Sequence, residues 1–209
     1  MFSNLGTGDI ITVFVALLVS ISTHEAMHAF AAHALGDSTA KDEGRLTLNP
    51  FKHIDLITTV LLPVVLIALH LPPIFIAKLV PFDPDRVRYQ EFGAALVALA
   101  GPFTNLFIAI ITSFIVRFAA AGSAVEAVHP LLIFMQINIA LFVFNMIPLP
   151  PLDGSRLLYA FAPEPVQRIM QQIEAAGFMV IIVIFLLLSP ILMPVIGNIS
   201  EAIFTFLLR

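Results

Sequence analysis

Residues 10–23, IITVFVALLVSIST, carry no charge and lead directly into His24-Glu25-Ala26-Met27-His28. A run of this composition predicts a membrane helix, and on a helix two residues that are four apart share one face. His24 and His28 can therefore hold one metal ion, while Glu25 can reach a water bound to that ion. Because imidazole and carboxylate groups are costly in hydrocarbon, the stretch indicates hydrolytic metal chemistry within a bilayer. The alternative interpretation is two buried histidines that bond backbone carbonyls.

The composition supports a membrane protein. Of the 209 residues, 59% are hydrophobic and only 11% are charged, whereas a soluble domain carries about 25% charged residues. The net charge of −4 and the lack of a basic cluster give no support to nucleic-acid binding. The sequence contains no cysteine, so a bound zinc would need His, Asp or Glu ligands. No cleavable signal peptide is expected, because the first apolar run continues into the His-Glu motif.

Uncharged apolar runs recur along the chain and predict an all-α polytopic membrane protein with five to six transmembrane or re-entrant helical segments. The last run contains two prolines and is compatible with one long helix or with a long helix followed by a shorter one. The runs are residues 10–35, 56–77, 92–116, 127–152 and 175–200, the last extended by 202–208.

The basic residues indicate how these segments cross the membrane. Links 36–53, 78–91 and 153–174 contain Lys or Arg, whereas link 119–129 contains neither. The positive-inside rule places the first three links in the cytoplasm and the fourth outside. The segment Leu56–Ala77 would then enter and return on the same side, which its prolines permit if protein shields the bent backbone. A plain spanning helix is the alternative.

A short strand or β-hairpin is predicted near the active site. Residues 44–49 alternate polar and apolar side chains between Gly44 and Pro50, a pattern typical of a strand, although an ordinary loop also fits six residues. Such an edge strand could pair with an unwound substrate segment.

Asp153 is the best candidate for a third metal ligand. It ends the fourth apolar run, where Pro148, Pro150 and Pro151 stop a helix and Gly154 permits tight backbone geometry. If residues 56–77 re-enter, Asp153 lies at the same membrane depth as the His-Glu motif. A solvated carboxylate at the membrane boundary is the alternative.

Four stretches together resemble the site-2 protease family of intramembrane zinc metalloproteases. They are His24-Glu25-Ala26-Met27-His28, Gly101-Pro102-Phe103-Thr104-Asn105, residues 145–154, and residues 44–55, the last resembling small bacterial and archaeal members. The resemblance covers about residues 10–160.

The resemblance implies a set of site residues. His24, His28 and Asp153 would bind one Zn²⁺ per chain, and Glu25 would act as the general base. Asn145 would orient the substrate or stabilise the oxyanion. Residues 1–209 would form one membrane metalloprotease domain, with a catalytic core at about 10–160 and C-terminal helices at 165–209.

The implied activity is endoproteolysis within or near the transmembrane segments of membrane-anchored proteins, as in regulated intramembrane proteolysis. The protein would lie in the cell membrane, in contact with the lipid bilayer, with its active site facing the cytoplasm. No link is long enough for a PDZ domain, and the oligomeric state stays open. Two rival interpretations are an inactive homologue that binds membrane proteins, which the presence of Glu25 disfavours, and an ion transporter, which the lack of an inverted repeat disfavours.

Other polar residues receive structural interpretations. His33 lies five residues beyond His28 and off the ligand face, so we expect a helix-end residue. His53 and Asp55 are expected to be a surface pair rather than a support for the site. Asn105 is expected to bond a neighbouring helix, and Gly101 to allow close helix packing.

Overall fold

The computed structural model describes residues 6–53, 81–122, 124–176 and 178–209. Within these ranges the regular structure is helical, with 3₁₀ turns at Pro50–Lys52 and Val125–Ala127. The α-helices are α1 (Thr7–Ala34), α2 (Thr39–Asp42), α3 (Gln90–Ala121), α4 (Val128–Asn145), α5 (Asp153–Phe161), α6 (Glu164–Ala175) and α7 (Phe178–Leu208).

Four of the described helical segments are long and apolar enough to cross a membrane, namely Gly8–Ala34, Gln90–Ala121, Val125–Asn145 and Val183–Leu208. They confirm an all-helical membrane architecture. The predicted segment Leu56–Ala77 lies outside the described residues, so its re-entrant course and the total of five to six segments stay predictions.

Two helices differ in extent from what the apolar runs indicated. The fourth apolar run continues to Leu152, but α4 ends at Asn145. This end agrees with the expectation that Pro148, Pro150 and Pro151 stop a helix, because proline cannot supply a helical N–H donor. The last run forms one continuous helix, with Pro190 and Pro194 inside it. The alternative of a long helix followed by a shorter one is therefore wrong; membrane helices accommodate internal prolines.

The predicted strand at residues 44–49 is wrong. This part of the described chain forms a turn and irregular backbone whose polar groups bond locally: Arg45 N donates to Ala40 O at 2.8 Å. Asn49 Oδ1 accepts from Phe51 N at 3.1 Å and starts a 3₁₀ turn. A strand needs a ladder partner to satisfy its backbone, and local hydrogen bonds to backbone and side-chain oxygens replace that ladder here. The suggested pairing of this segment with substrate has no strand to support it.

Helix α3 lies at the centre of the described structure, in contact with α1, α4 and α5. Small side chains are buried on both α1 and α3, among them Ala26 and Ala29 on α1 and Ala94 and Ala98 on α3. Small residues let helix backbones approach closely without a cavity. The His-Glu motif of α1 is thereby brought close to the backbone of α3.

A buried carboxylate joins the link after α1 to the segment before α3. Asp37 is fully buried and accepts hydrogen bonds from Thr39 N at 2.9 Å, Thr39 Oγ1 at 2.6 Å and Asp83 N at 2.7 Å. Burial raises the pKa of Asp37, but these hydrogen bonds and the charge of Arg86 outweigh it, so the pKa lies below its usual value. The contact fixes the C-terminal end of α1 beside the N-terminal end of α3.

Candidate metal centre

Helix α1 presents both histidines of the motif on one buried face. The exposed fraction is 6% for His24 and 8% for His28. Their Nε2 atoms lie 3.0 Å apart, and the ring planes are inclined at 85°. The helical spacing inferred from the sequence therefore brings two imidazole lone pairs to one point.

Asp153 completes the group from the first turn of α5. Its Oδ2 lies 3.1 Å from His24 Nε2 and 3.4 Å from His28 Nε2. Gly154 makes this placement possible, because a Cβ there would lie 2.3 Å from Met146 O in the turn after α4. Among the described residues, these three side chains form the one group of His, Asp or Glu able to hold a metal ion.

The spacing of the three atoms fits a divalent ion. Two ligands about 2.0 Å from a tetrahedral zinc lie about 3.3 Å apart, close to the three observed separations. Asp153 Oδ2 is buried and makes no hydrogen bond of good geometry within the described part of the chain. A buried carboxylate oxygen facing two ring nitrogens is costly without a cation to bind. The donor set of two imidazoles and one carboxylate is one that catalytic zinc uses.

Helix α3 orients both imidazoles through their other ring nitrogens. His28 Nδ1 donates to Val97 O at 2.8 Å, and His24 Nδ1 donates to Asn105 Oδ1 at 2.6 Å. A proton held on Nδ1 leaves the Nε2 lone pair available for a metal. The acceptors thus select the ring tautomer that a zinc ligand requires.

Gly101 lies against the two rings, midway between the two acceptors on α3. A Cβ at this position would lie 2.4 Å from His28 Nε2 and 2.7 Å from His24 Cε1. No side chain larger than hydrogen fits there without displacing the imidazoles. The expectation that Gly101 allows close packing is confirmed, and the atoms it accommodates belong to the metal group.

Glu25 and Asn145 were predicted to be catalytic residues, and the structure gives the position of each. Glu25 is buried, with an exposed fraction of 6%, and follows His24 directly on α1. Asn145 is the last residue of α4, is half-buried, and donates from Nδ2 to Leu141 O at 3.0 Å. The metal group does not include Asn145 or His33, which lies in the last turn of α1.

His53 contradicts its interpretation as a surface residue. Its exposed fraction is 1%, and its Nε2 lies 2.8 Å from Thr47 O. The ring is held by the same local bonding that replaces the predicted strand. Its expected surface partner Asp55 lies outside the described residues.

Asn105 was expected to bond a neighbouring helix, and it does so. Its bond to His24, a histidine of the metal group, was not predicted. The available signal was its place in Gly101-Pro102-Phe103-Thr104-Asn105, eight residues beyond Val97 on the same face of α3.

Comparisons with known proteins agree with this geometry. Residues 115–189 match the family model described as Peptidase family M50. The chain is 37% identical over 180 residues to "Putative zinc metalloprotease YwhC" of Bacillus subtilis, covering 82% of this chain and 78% of the relative. It is 31% identical over 194 residues to "Putative zinc metalloprotease Rip2" of Mycolicibacterium smegmatis, covering 88% and 70% of the two chains. A third relative, MJ0611 of Methanocaldococcus jannaschii with the same description, is 30% identical over 154 residues, covering 71% of each chain. No solved structure matches the chain. The chain belongs to peptidase family M50, the site-2 protease family of membrane zinc metalloproteases, and its cofactor is zinc.

Proposed function

We propose that this protein is an intramembrane zinc endopeptidase that cuts membrane-anchored proteins in or near their transmembrane segments. His24, His28 and Asp153 bind one zinc ion, and Glu25 is the general base. The observation that carries the proposal is the convergence of three ligand atoms, 3.0 to 3.4 Å apart, with two of them on a helix that is long and apolar enough to cross a membrane. A hydrolytic site in such a helix acts on peptide bonds that lie at membrane depth.

The chemistry divides between metal and protein. When bound, zinc polarises the scissile carbonyl and lowers the pKa of the attacking water. Glu25 accepts a proton from that water as its oxygen bonds to the carbonyl carbon, and delivers the proton to the amine nitrogen when the C–N bond breaks. The Nδ1 hydrogen bonds of His24 and His28 keep both rings in place throughout.

Asn145 is proposed to orient the substrate or stabilise the oxyanion. Its Nδ2 carries two protons, and the bond to Leu141 O uses one of them. The second N–H is a donor of the kind that stabilises negative charge on a carbonyl oxygen. Its position at the end of α4, before the turn that leads to Asp153, supports this role.

The active site is proposed to face the cytoplasm of a cell membrane. The links and the short helices α2 and α5 at the metal end of the described structure carry the basic residues Lys41, Arg45, Arg86, Arg88 and Arg156. Link 122–127, at the opposite end of α3, has no basic residue. The backbone bond from Arg88 N to Leu35 O, 2.9 Å long, supports placing the first two links on one side. Residues 1–209 are proposed to act as one domain, with membrane-anchored proteins as substrates in regulated intramembrane proteolysis.

The test compares wild-type protein with Glu25→Gln in liposomes that contain a single-span reporter, with zinc measured in each preparation. Glu126→Gln, in the exposed 3₁₀ turn between α3 and α4, is the matched control. We expect Glu25→Gln to keep one zinc per chain and to lose cleavage by about 10²- to 10⁴-fold, the usual contribution of a general base. Glu126→Gln should cleave as wild type does.

Two results would overturn the proposal. Zinc-loaded Glu25→Gln that cleaves at the wild-type rate would remove Glu25 as the base. Zinc-loaded wild type that cleaves none of several single-span reporters would favour the inactive, binding-only homologue.

A further inference from the structure

A buried amide on α4 continues the hydrogen-bond chain that begins at His24. Asn138 and Asn105 are both fully buried, and Asn105 Nδ2 donates to Asn138 Oδ1 at 3.0 Å. Asn138 Nδ2 donates to Ser20 Oγ at 2.8 Å and to Phe134 O at 2.9 Å. Three helices therefore share one polar chain that ends at a proposed zinc ligand.

The donors and acceptors along this polar chain of hydrogen bonds follow one order, from Asn138 to His24. Both N–H groups of Asn138 have acceptors, so its Oδ1 must face Asn105. Asn105 Nδ2 then faces Asn138 and the Ser20 carbonyl, 3.2 Å away, and its Oδ1 faces His24 Nδ1. If the Asn105 amide turned over, it would place an N–H against the Nδ1–H of His24 and an oxygen against the oxygen of Asn138. Asn138 Oδ1 and the Ser20 carbonyl thus together determine which atom of Asn105 His24 meets.

We propose that Asn138 is a positioning residue for the zinc site. Acting through Asn105, it keeps the proton of His24 on Nδ1 and the Nε2 lone pair directed at His28 and Asp153. The inference rests on the proposed role of His24 as a zinc ligand. It goes further by assigning a zinc-affinity function to a residue on α4 that hydrogen-bonds Asn105, Ser20 and Phe134 and is not itself a proposed zinc ligand.

A purely structural role predicts something different. Interhelical amide bonds also hold membrane helices together, and loss of such a bond lowers stability without a selective effect on metal binding. In Asn138→Leu, however, Asn105 Nδ2 keeps the Ser20 carbonyl as an acceptor, so α1 and α3 stay joined. What is lost is one of the two acceptors that oppose reversal of the Asn105 amide, which leaves only the Ser20 carbonyl, at the longer distance of 3.2 Å, facing Nδ2. A reversed amide accepts no proton from Nδ1 and favours the tautomer with the proton on Nε2, which cannot bind zinc.

The experiment measures zinc affinity of the purified full chain in detergent, by competition with a chromophoric chelator, together with the melting temperature. Asn138→Leu is compared with Ile139→Ala, which truncates the adjacent buried residue of α4 but leaves the polar chain intact. We expect Asn105→Leu to weaken zinc binding about 10- to 100-fold, as loss of a direct partner of a ligating histidine usually does. Asn138→Leu should weaken zinc binding by a smaller factor, because the Ser20 carbonyl still faces Asn105 Nδ2. Ile139→Ala should lower the melting temperature and keep wild-type zinc affinity.

The double variant Asn105→Leu/Asn138→Leu supplies the decisive readout. Because Asn138 acts through Asn105, the double variant should bind zinc no more weakly than Asn105→Leu alone. Losses that add, or an Asn138→Leu affinity equal to that of Ile139→Ala, would overturn the inference. Ser20→Ala, a smaller change, guards against misfolding: with one hydrogen bond to Asn138 removed, about a threefold loss is expected, and no loss would count against the inference.

Failure of the inference is distinguishable from failure of the proposed function. If wild type binds no zinc, or if His24→Ala binds it as well as wild type does, the proposed metal site is wrong. If wild type binds one zinc that His24→Ala loses, and the Asn138 variants bind it normally, the protease proposal stands and the positioning role falls.

Discussion

Replacing Gly101 by alanine tests whether α3 shapes the metal group. The added Cβ would lie 2.4 Å from His28 Nε2, 2.6 Å from His28 Cε1 and 2.7 Å from His24 Cε1. Ordinary contact begins at 3.4 Å, so the His28 ring must move by about 1 Å. Its Nδ1 is held 2.8 Å from Val97 O, and ligand distances in metal sites vary by only about 0.2 Å. The ring therefore cannot satisfy the alanine, the carbonyl and the metal together.

The expected loss of zinc affinity follows from the free-energy cost of overpacking. Extra methyl groups in a packed core cost about 1–3 kcal/mol. In zinc-free protein the imidazoles can turn away and relieve that strain, whereas in zinc-bound protein they cannot. The strain then appears as weaker zinc binding, by about 5- to 150-fold at 1.4 kcal/mol for each tenfold change.

Gly197→Ala is the matched control for Gly101→Ala. It makes the same change in α7, where an added Cβ meets nothing within 4 Å. Alanine is favoured over glycine in a helix by about 1 kcal/mol, so this variant should melt at or above the wild-type temperature and bind zinc normally. Chelator competition gives the affinities. Gly101→Ala with wild-type zinc affinity and activity would refute the argument that α3 needs a glycine here.

Three further predictions follow from the same geometry. Gly154→Ala should abolish zinc binding and lower stability, because the added Cβ would lie 2.3 Å from the backbone oxygen of Met146. A backbone atom cannot move aside as the end of a side chain would. Metal analysis and thermal melting measure the two effects. Asp37→Asn should cost about 1–3 kcal/mol at pH 7, because the amide accepts fewer of the bonds from Thr39 and Asp83. Because the folded pKa of Asp37 is lowered, that stability is present above the unfolded pKa of about 3.9 and is lost as the pH falls through the folded pKa. Unfolding measured from pH 7 down should show the two proteins converging below about pH 4, and a constant difference would contradict the assignment. Removal of zinc with a chelator should lower the melting temperature reversibly. If free zinc had been 100 times its dissociation constant, the loss of stability should be about 2.7 kcal/mol. His24→Ala should show no such response to the chelator.

The long helices, and the three side chains that form the candidate metal group, could be identified from the sequence for physical reasons. Uncharged runs in a chain with 11% charged residues have few alternatives to membrane helices. Two histidines four apart must share a helix face, whatever the helix packs against. Asp153 was identifiable because prolines ended the preceding run beside it.

Features that depend on packing were not predictable in the same way. A six-residue alternation at 44–49 carries too little information to distinguish a strand from irregular backbone, and local side-chain bonds decided the outcome. Helices α5 and α6 are short and amphipathic, so no apolar run marked them. His53 is buried by its neighbours, and its sequence position beside a charged link gave no sign of that.

The hydrogen-bond partners of Asn105 and Asn138 are intermediate between these two cases. The sequence pattern that marks them is present, but it can be interpreted only when two helices are considered together. Ser20, His24 and His28 recur every four residues along α1, and Val97, Gly101 and Asn105 recur every four along α3. The stripes run antiparallel, since His28 meets Val97 while His24 and the Ser20 carbonyl meet Asn105. Either stripe alone predicts only a buried helix face. Side by side, each proposed ligand in the first stripe has an acceptor in the second, and the glycine between the acceptors leaves room for both rings. The two acceptors on α3, the Val97 carbonyl and the Asn105 side chain, thus support the candidate metal site through the tautomers that they select, although neither residue is a proposed metal ligand.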